Sequence, residues 1–238
     1  MLIQIVSTMR NEAENIPLFI ELISQLRSDL SIDLNAAIVN NGSVDGTQDV
    51  IASLPKQSFI SFFENPIGST YADGIELAIT KVSSAYVLVI PSDLQFAYSD
   101  ILSILKLFFE KIDNNEKNDI SAFAIFTFRK FRTDGRFMKF RGYVWRMLVT
   151  RVLKIESRLD PASQLKIIPT PKSFVSINRN FLWDIEVLLR TLKNVTSYSV
   201  VDVSFQSRIY GESALPKNPF KSAIDALLGL IHLTQGVK

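Results

Sequence analysis

Strand-like runs alternate with polar loops and helically spaced apolar residues through the first half of this chain, and that alternation constrains the fold more than any other feature. Leu2 to Ser7 reads as a buried strand, and Ile16, Leu18, Phe19, Leu22, Ile23 and Leu26 then recur at helical spacing. Leu34 to Val39 is the next strand. The turn signal Asn40-Asn41-Gly42-Ser43-Val44-Asp45-Gly46 follows it, with Asp45 or Thr47 placed to cap a short helix. Ser58 to Phe63 is a third strand, Ala72, Ile75, Ala78 and Ile79 mark another helix face, and Tyr86 to Ile90 is a fourth strand. A helix with Ser99 as N-cap and a fifth strand, Ile120 to Phe128, complete the series. Repeated strand–loop–helix units imply an α/β fold, a mostly parallel central sheet with helices on both faces. Ligands of such sheets bind outside the carboxyl ends of the strands. The loops Thr8–Glu12, Asn40–Gly46 and Pro91–Gln95 all follow strands and are expected to converge there.

After Phe128 the pattern changes. Arg136 to Ile155 is a basic, aromatic-rich amphipathic segment. It is followed by a short strand around Leu165–Ile168, a helix from about Asn180 to Leu192, a strand from Ser197 to Phe205 and a last amphipathic helix over Phe220–Leu233. No repeat or linker divides the chain. It reads as one domain, residues 1–238, with a ligand-binding half (1–128) and a divergent second half (129–238).

The chain has no cysteine and one histidine, His232. Disulfides, thiolate metal sites and thiol catalysis are thereby excluded, and a Ser-His-Asp triad is unexpected with the histidine near the chain end. Catalysis must run on carboxylates and cations, with or without a bound divalent ion. Net charge is only +2, but ten Lys and Arg crowd Arg129–Arg158 against Asp134 and Glu156, which calls for an anionic partner. No run approaches ~20 consecutive apolar residues, so no membrane-spanning helix is expected. Met1 to Val6 opens directly into a strand without a signal-like segment, so a cytoplasmic location is expected. No nucleic-acid-reading motif accompanies the basic block.

The glycine-rich dinucleotide and phosphate loops are both missing from the first strand–loop–helix unit. Phosphates must therefore meet a metal ion or Arg and Lys side chains. Three segments carry a resemblance instead. Thr8-Met9-Arg10-Asn11-Glu12-Ala13-Glu14-Asn15-Ile16 is similar to the opening Pro-x-Tyr-Asn-Glu-x-x-Asn-Ile of family 2 glycosyltransferases. Val39-Asn40-Asn41-Gly42-Ser43-Val44-Asp45-Gly46-Thr47 resembles their Val-Asp-Asp-Gly-Ser-x-Asp-Gly-Thr, and Pro91-Ser92-Asp93-Leu94-Gln95 resembles their Asp-x-Asp-Leu-Gln. Asn65-Pro66-Ile67-Gly68 and Ala72–Ala78 loosely resemble an Asn-x-Gly and an Ala-x-x-x-Gly-x-x-x-Ala pattern, with changed spacing before each glycine. Downstream, Asp160–Lys166 is similar to Asp-x-x-Ser-Gly-Phe-Arg. Asp202-Val203-Ser204-Phe205 with Arg208, Gly211 and Ser213 resembles the block found in dolichyl- or polyprenyl-phosphate sugar synthases.

The resemblance implies a GT-A fold and inverting transfer of a sugar from a nucleoside-diphosphate sugar. The acceptor would be lipid-linked or a glycan, in cell-surface polysaccharide or glycolipid biosynthesis. Thr8, Arg10, Glu12 and Asn41 would line the nucleoside pocket. Asp93 would orient the diphosphate or, with Gln95, a weakly held magnesium or manganese ion, and no organic cofactor is implied. Arg129 and Arg141 match basic positions near the acceptor, Arg208 matches the arginine near the donor phosphates, and Asp160 is the candidate base for a hydroxyl acceptor. The basic segment would give peripheral contact with the inner face of the cytoplasmic membrane. The chain departs from the family pattern at several positions: Asn41 stands in place of a carboxylate, Pro91 removes one of the two metal-binding acids, and Gln164, Ser204 and Ala214 replace a Gly, a Pro and a Lys. These changes leave open a catalytically degenerate, nucleotide-binding relative as the alternative.

Overall fold

The computed structural model describes residues 1–115, 122–133, 135–171, 176, 182–210 and 228–230. Its centre is a seven-stranded sheet. The strands are β1 (Ile3–Met9), β2 (Asn35–Asn41), β3 (Ile60–Asn65), β4 (Tyr86–Val89), β5 (Phe123–Arg132), β6 (Lys166–Pro169) and β7 (Ser197–Phe205). The helices are α1 (Ile16–Leu30), α2 (Thr47–Ser53), α3 (Tyr71–Thr80), α4 (Tyr98–Asn115), α5 (Arg136–Leu153) and α6 (Trp183–Asn194). The sheet order is β3-β2-β1-β4-β6-β5-β7. The pairs β1–β2, β2–β3, β1–β4 and β5–β7 are parallel, and β6 runs antiparallel between β4 and β5.

Period-two alternation sorts the strand side chains onto two covered faces, which explains the near-continuous apolar runs. Ile3, Ile5, Ile38, Leu88, Phe123, Ile125 and Ile167 pack beneath α1 and α4, around Phe19, Ile23, Leu26, Ile104 and Phe108. Val6, Val39, Val87, Val89, Phe126 and Ile168 face the other way, onto Ala72, Ile75 and Ala78 of α3 and Trp183 and Val187 of α6. The inner side of α5 packs Trp145, Val149 and Leu153 against Leu182, Ile185 and Leu189.

Several boundaries differ from expectation. β5 starts at Phe123 and runs on to Arg132, because its long parallel ladder with β7 carries it past the apolar stretch. α4 begins at Tyr98, so Ser99 lies inside its first turn instead of capping it. Gly211, Ser213, His232 and most of the expected last helix lie outside the described residues.

α3 is set close against the sheet. Thr70 and Asp73 form a capping box, Asp73 Oδ2 accepting from the Thr70 N–H at 2.7 Å and Thr70 Oγ1 accepting from the Asp73 N–H at 3.3 Å. One position later a Cβ on Gly74 would lie 2.1 Å from Thr8 Oγ1 and 2.8 Å from Thr8 Cβ. Threonine is stiff at χ1 and its Cβ belongs to a central strand, so the clash has no easy escape. Gly74→Ala is therefore expected to destabilise the protein by about 1–3 kcal/mol, read as a lower urea midpoint. An unchanged midpoint would mean that α3 can slide outward at no cost.

Candidate active site

The loops after β1 and β2 are sewn together. Asn11, with a left-handed φ of 56°, accepts from the Val44 N–H at 2.9 Å through Oδ1, and its own N–H donates to Ser43 Oγ at 2.9 Å. The Glu12 N–H donates to Thr47 Oγ1 at 3.0 Å. Burial alone would raise the Asp45 carboxyl, but hydrogen bonds from Thr47 and the Ala13 N–H hold it below its ordinary range. The β4 loop is tied in by Ser92 Oγ, which donates to the Thr8 carbonyl at 3.1 Å, and by Ser7 Oγ donating to the Ile90 carbonyl at 2.7 Å.

Convergence of these loops brings Glu12 and Asp93 to one spot, both buried, at 7% and 5% exposure. Arg208, just past β7, joins them, with Nη2 at 3.0 Å from Asp93 Oδ2 and Nη1 at 3.6 Å from Glu12 Oε1. Burial pushes the carboxyl of Asp93 up, and Arg208 opposes the rise. Glu12 is raised by burial too, against the hydrogen bond from Asn15 and the charge of Arg208. Gln95 Nε2 donates to the Gln206 carbonyl at 2.8 Å, and the Gln206 N–H donates to the Gln95 carbonyl at 2.8 Å. The segment bearing Arg208 is thus fastened to the segment bearing Asp93.

A second cluster lies at β5 and β6. Arg129 grips Asp160 through Nε at 2.7 Å and Nη2 at 3.1 Å and lies over the Phe205 ring at 4.9 Å. Burial favours the neutral acid, but the Arg129 guanidinium outweighs it and holds the Asp160 carboxyl below the usual range. Deeper still, Lys166 Nζ meets Asp184 Oδ1 at 2.5 Å with both side chains almost wholly buried. Burial pushes the Tyr71 hydroxyl far above its ordinary value, and the charges of Asp184 and Asp93 add to the shift.

Several expected site residues have other partners. Asn41 is buried, and its amide is engaged at both ends: Nδ2 donates to the Thr70 carbonyl at 2.7 Å, and Oδ1 accepts from Asn65 Nδ2 at 3.0 Å. It braces β2, β3 and α3, and this geometry does not support contact with a base. A carboxylate there would set an oxygen against the Thr70 carbonyl, so the amide suits its surroundings. Asp160 is likewise unsuited to be a general base, because a carboxylate locked to a guanidinium has little affinity for a proton. Thr8 is half-buried beneath α3, Arg10 is exposed where β1 ends, and Arg141 is exposed on α5. Lys166 and Asp184 were not singled out from the sequence, although each interrupts an apolar run, which signals a buried pair.

For a divalent ion the donor set is thin. Pro91 offers no ligand, the Ser92 hydroxyl bonds a carbonyl, and Asp93 is paired with Arg208. Among the described residues no group of three or more His, Cys, Asp or Glu could hold a metal. An ion at the expected pair would meet one carboxylate, that of Asp93, and the Gln95 side-chain oxygen, and would need a ligand's phosphates besides.

A parallel-rich sheet with buried acids and an arginine at its carboxyl edge has the GT-A arrangement. The sequence model described as glycosyl transferase family 2 matches residues 4–185, and the chain belongs to that family of sugar-transferring enzymes. Among solved structures it is similar to glucosyl-3-phosphoglycerate synthase from Mycobacterium tuberculosis in complex with Mn2+, uridine-diphosphate-glucose and glycerol 3-phosphate. That match has 16% identity and a TM-score of 0.66 and covers 99% of this chain and 79% of that one. It is also similar to S. aureus TarS 1–349, at 14% identity and a TM-score of 0.55 over 87% of this chain and 60% of that one.

Proposed function

We propose that this protein moves a sugar, with inversion, from a nucleoside-diphosphate sugar to a polyprenyl phosphate at a membrane surface. The acceptor oxygen bonds to the anomeric carbon as the bond from that carbon to the diphosphate breaks. The electron pair leaves with the nucleoside diphosphate, so positive charge beside the leaving oxygens lowers the barrier. Magnesium or manganese, held by Asp93, Gln95 and the donor phosphates, would supply such charge as a Lewis acid. Thr8, Arg10 and Glu12 would line the nucleoside side of the cleft.

The Arg129–Asp160 pair carries the acceptor half of this reading. A hydroxyl acceptor must surrender a proton, yet the carboxylate at hand is held by Arg129. A phosphate acceptor arrives as an anion with no proton to lose, and the arginine-rich surroundings suit it. The mycobacterial synthase, held with glycerol 3-phosphate, offers a parallel in another phosphorylated molecule.

The outer face of α5 supports the membrane. Phe140, Tyr143, Val144, Leu148 and Val152 are exposed there, the first at 64%, among exposed Arg136, Lys139, Arg141 and Arg151. Trp145 instead packs inward, and Arg146 lies over Phe128 at 4.7 Å while donating to the Ser157 carbonyl, so neither serves this face. No helix among the described residues is long and apolar enough to cross a membrane. An interfacial helix needs no such length, and each basic residue contributes roughly 1 kcal/mol near anionic lipid.

The test joins flotation to transfer. The protein is expected to float with phosphatidylglycerol vesicles at low salt and to move radiolabel from UDP-glucose or GDP-mannose onto undecaprenyl phosphate within them. Reversing charge at Arg136, Lys139, Arg141 and Arg151 should release it from the vesicles. Labelling of 3-phosphoglycerate alone, by protein that stays off the vesicles, would refute the lipid acceptor.

A further inference from the structure

We infer that Arg208 is the resident cation of the donor site, filling the gap between Glu12 and Asp93 that a divalent ion would otherwise take and receiving the donor diphosphate itself. This rests on the nucleotide-sugar reading above and specifies how that site works.

Three observations carry it. The first is position: one guanidinium reaches both buried carboxylates, at 3.0 Å and 3.6 Å. The second is that this position is built by backbone. The reciprocal Gln95–Gln206 hydrogen bonds and the Phe96–Phe205 bridge clamp the β4 and β7 loops together just before Arg208. The third is the loss of the second acid from the 91–93 loop, where Pro91 and Ser92 provide no ligand.

Magnesium or manganese sits about 2 Å from a carboxylate oxygen. With a guanidinium already 3.0 Å from Asp93, an ion there would sit beside a second cation and be held only weakly. A guanidinium carries five N–H donors in one plane, and its fork suits phosphate oxygens. It also stays charged at every working pH. When the anomeric bond breaks, the negative charge that appears on the diphosphate falls beside Arg208, with no ion to be recruited first.

Calorimetric binding of UDP and GDP in EDTA, with Mn2+ binding followed by electron paramagnetic resonance, tests this. Wild type is expected to bind one of the nucleotides in EDTA, with affinity unchanged by Mn2+, and to hold Mn2+ only at millimolar concentrations. Arg208→Gln should weaken metal-free nucleotide binding by roughly ten- to a hundredfold, the range of one charge-assisted hydrogen bond. It should also tighten Mn2+ binding, because two buried acids lose their cation. If that variant does not fold, Arg208→Lys keeps the charge without the fork and should show the smaller share of both changes. Nucleotide binding by wild type only when Mn2+ is added would overturn the inference and leave the donor site standing. Failure to bind either nucleotide under any condition would bring down the donor site and the inference with it.

Discussion

Replacing Asp93 with asparagine is expected to reduce sugar transfer by on the order of 10²–10³-fold, the scale of losing one preorganised electrostatic group, without harming the fold. The two halves of this expectation come from the same surroundings. Asp93 is 5% exposed, and burial raises its carboxyl before Arg208 pulls it back. The ionised acid is thus an expensive occupant of its position, and an isosteric neutral amide relieves that cost. What the amide gives up is the charge: its oxygen can still accept a hydrogen bond, but the 3.0 Å ion pair that holds Arg208 in place is lost. Thermal unfolding at or above the wild-type temperature, together with the collapse of turnover, is the expected signature. A folded variant that retained wild-type turnover and nucleotide affinity would remove Asp93 from the reaction.

Asp160→Asn should behave in the opposite way. Its side chain and that of Arg129 are 7% and 11% exposed, so the substitution leaves a guanidinium without its counter-charge in a largely dry site. Breaking such a pair costs about 3 kcal/mol or more, which lowers Tm by roughly 6–12 °C for a chain of this size. The pH dependence has a definite sign. The folded-state pKa of Asp160 is depressed, so its stabilisation is present above the ordinary carboxylate range and is lost as pH falls through the folded value. Wild type should therefore lose this increment in acid, and the variant should have none to lose. Substituting leucine at both Arg129 and Asp160 should recover much of the stability. If Asp160 were instead a general base, the asparagine variant would keep its Tm and lose the acidic limb of the kcat–pH profile.

Much of the architecture could be read directly. The strand over Ser197–Phe205 falls where the apolar–polar pattern puts it, and the helix face Ile16, Phe19, Ile23 and Leu26 is buried as its spacing requires. Periodicity records which residues face a core, and that depends on neighbours close in sequence. The antiparallel direction of β6 was not legible, because a four-residue apolar strand pairs equally well either way until its partners are fixed. Side-chain roles were legible only where no distant partner intervened. Asn41 was assigned to a base, but Asn65 and Thr70 take both ends of its amide. Asp160 was assigned to proton transfer, but Arg129, thirty-one positions away, takes its carboxylate. The same limit applied to the basic block. Lys130 and Arg158 both pair with Asp202, and Arg146 lies over Phe128 and bonds the Ser157 carbonyl, so only part of that charge is left unengaged for an outside partner.

The short strand β6 has a consequence for how the molecule comes into being. Four parallel-paired strands, β3, β2, β1 and β4, are complete once residue 89 has been made, whereas the β5–β7 ribbon cannot close until residue 205 has emerged. β6 joins these two sub-sheets, with four residue pairs on one side and two on the other. Across that narrow seam run the Gln95–Gln206 clip and the Arg208 ion pairs, which staple the first sub-sheet to the last strand. A ribosome working from the N-terminus therefore delivers the acids of the cleft more than a hundred residues before their cation. The scaffold can begin to fold while the chain is still growing, but the charge pattern that defines the cleft must wait for the residues after β7.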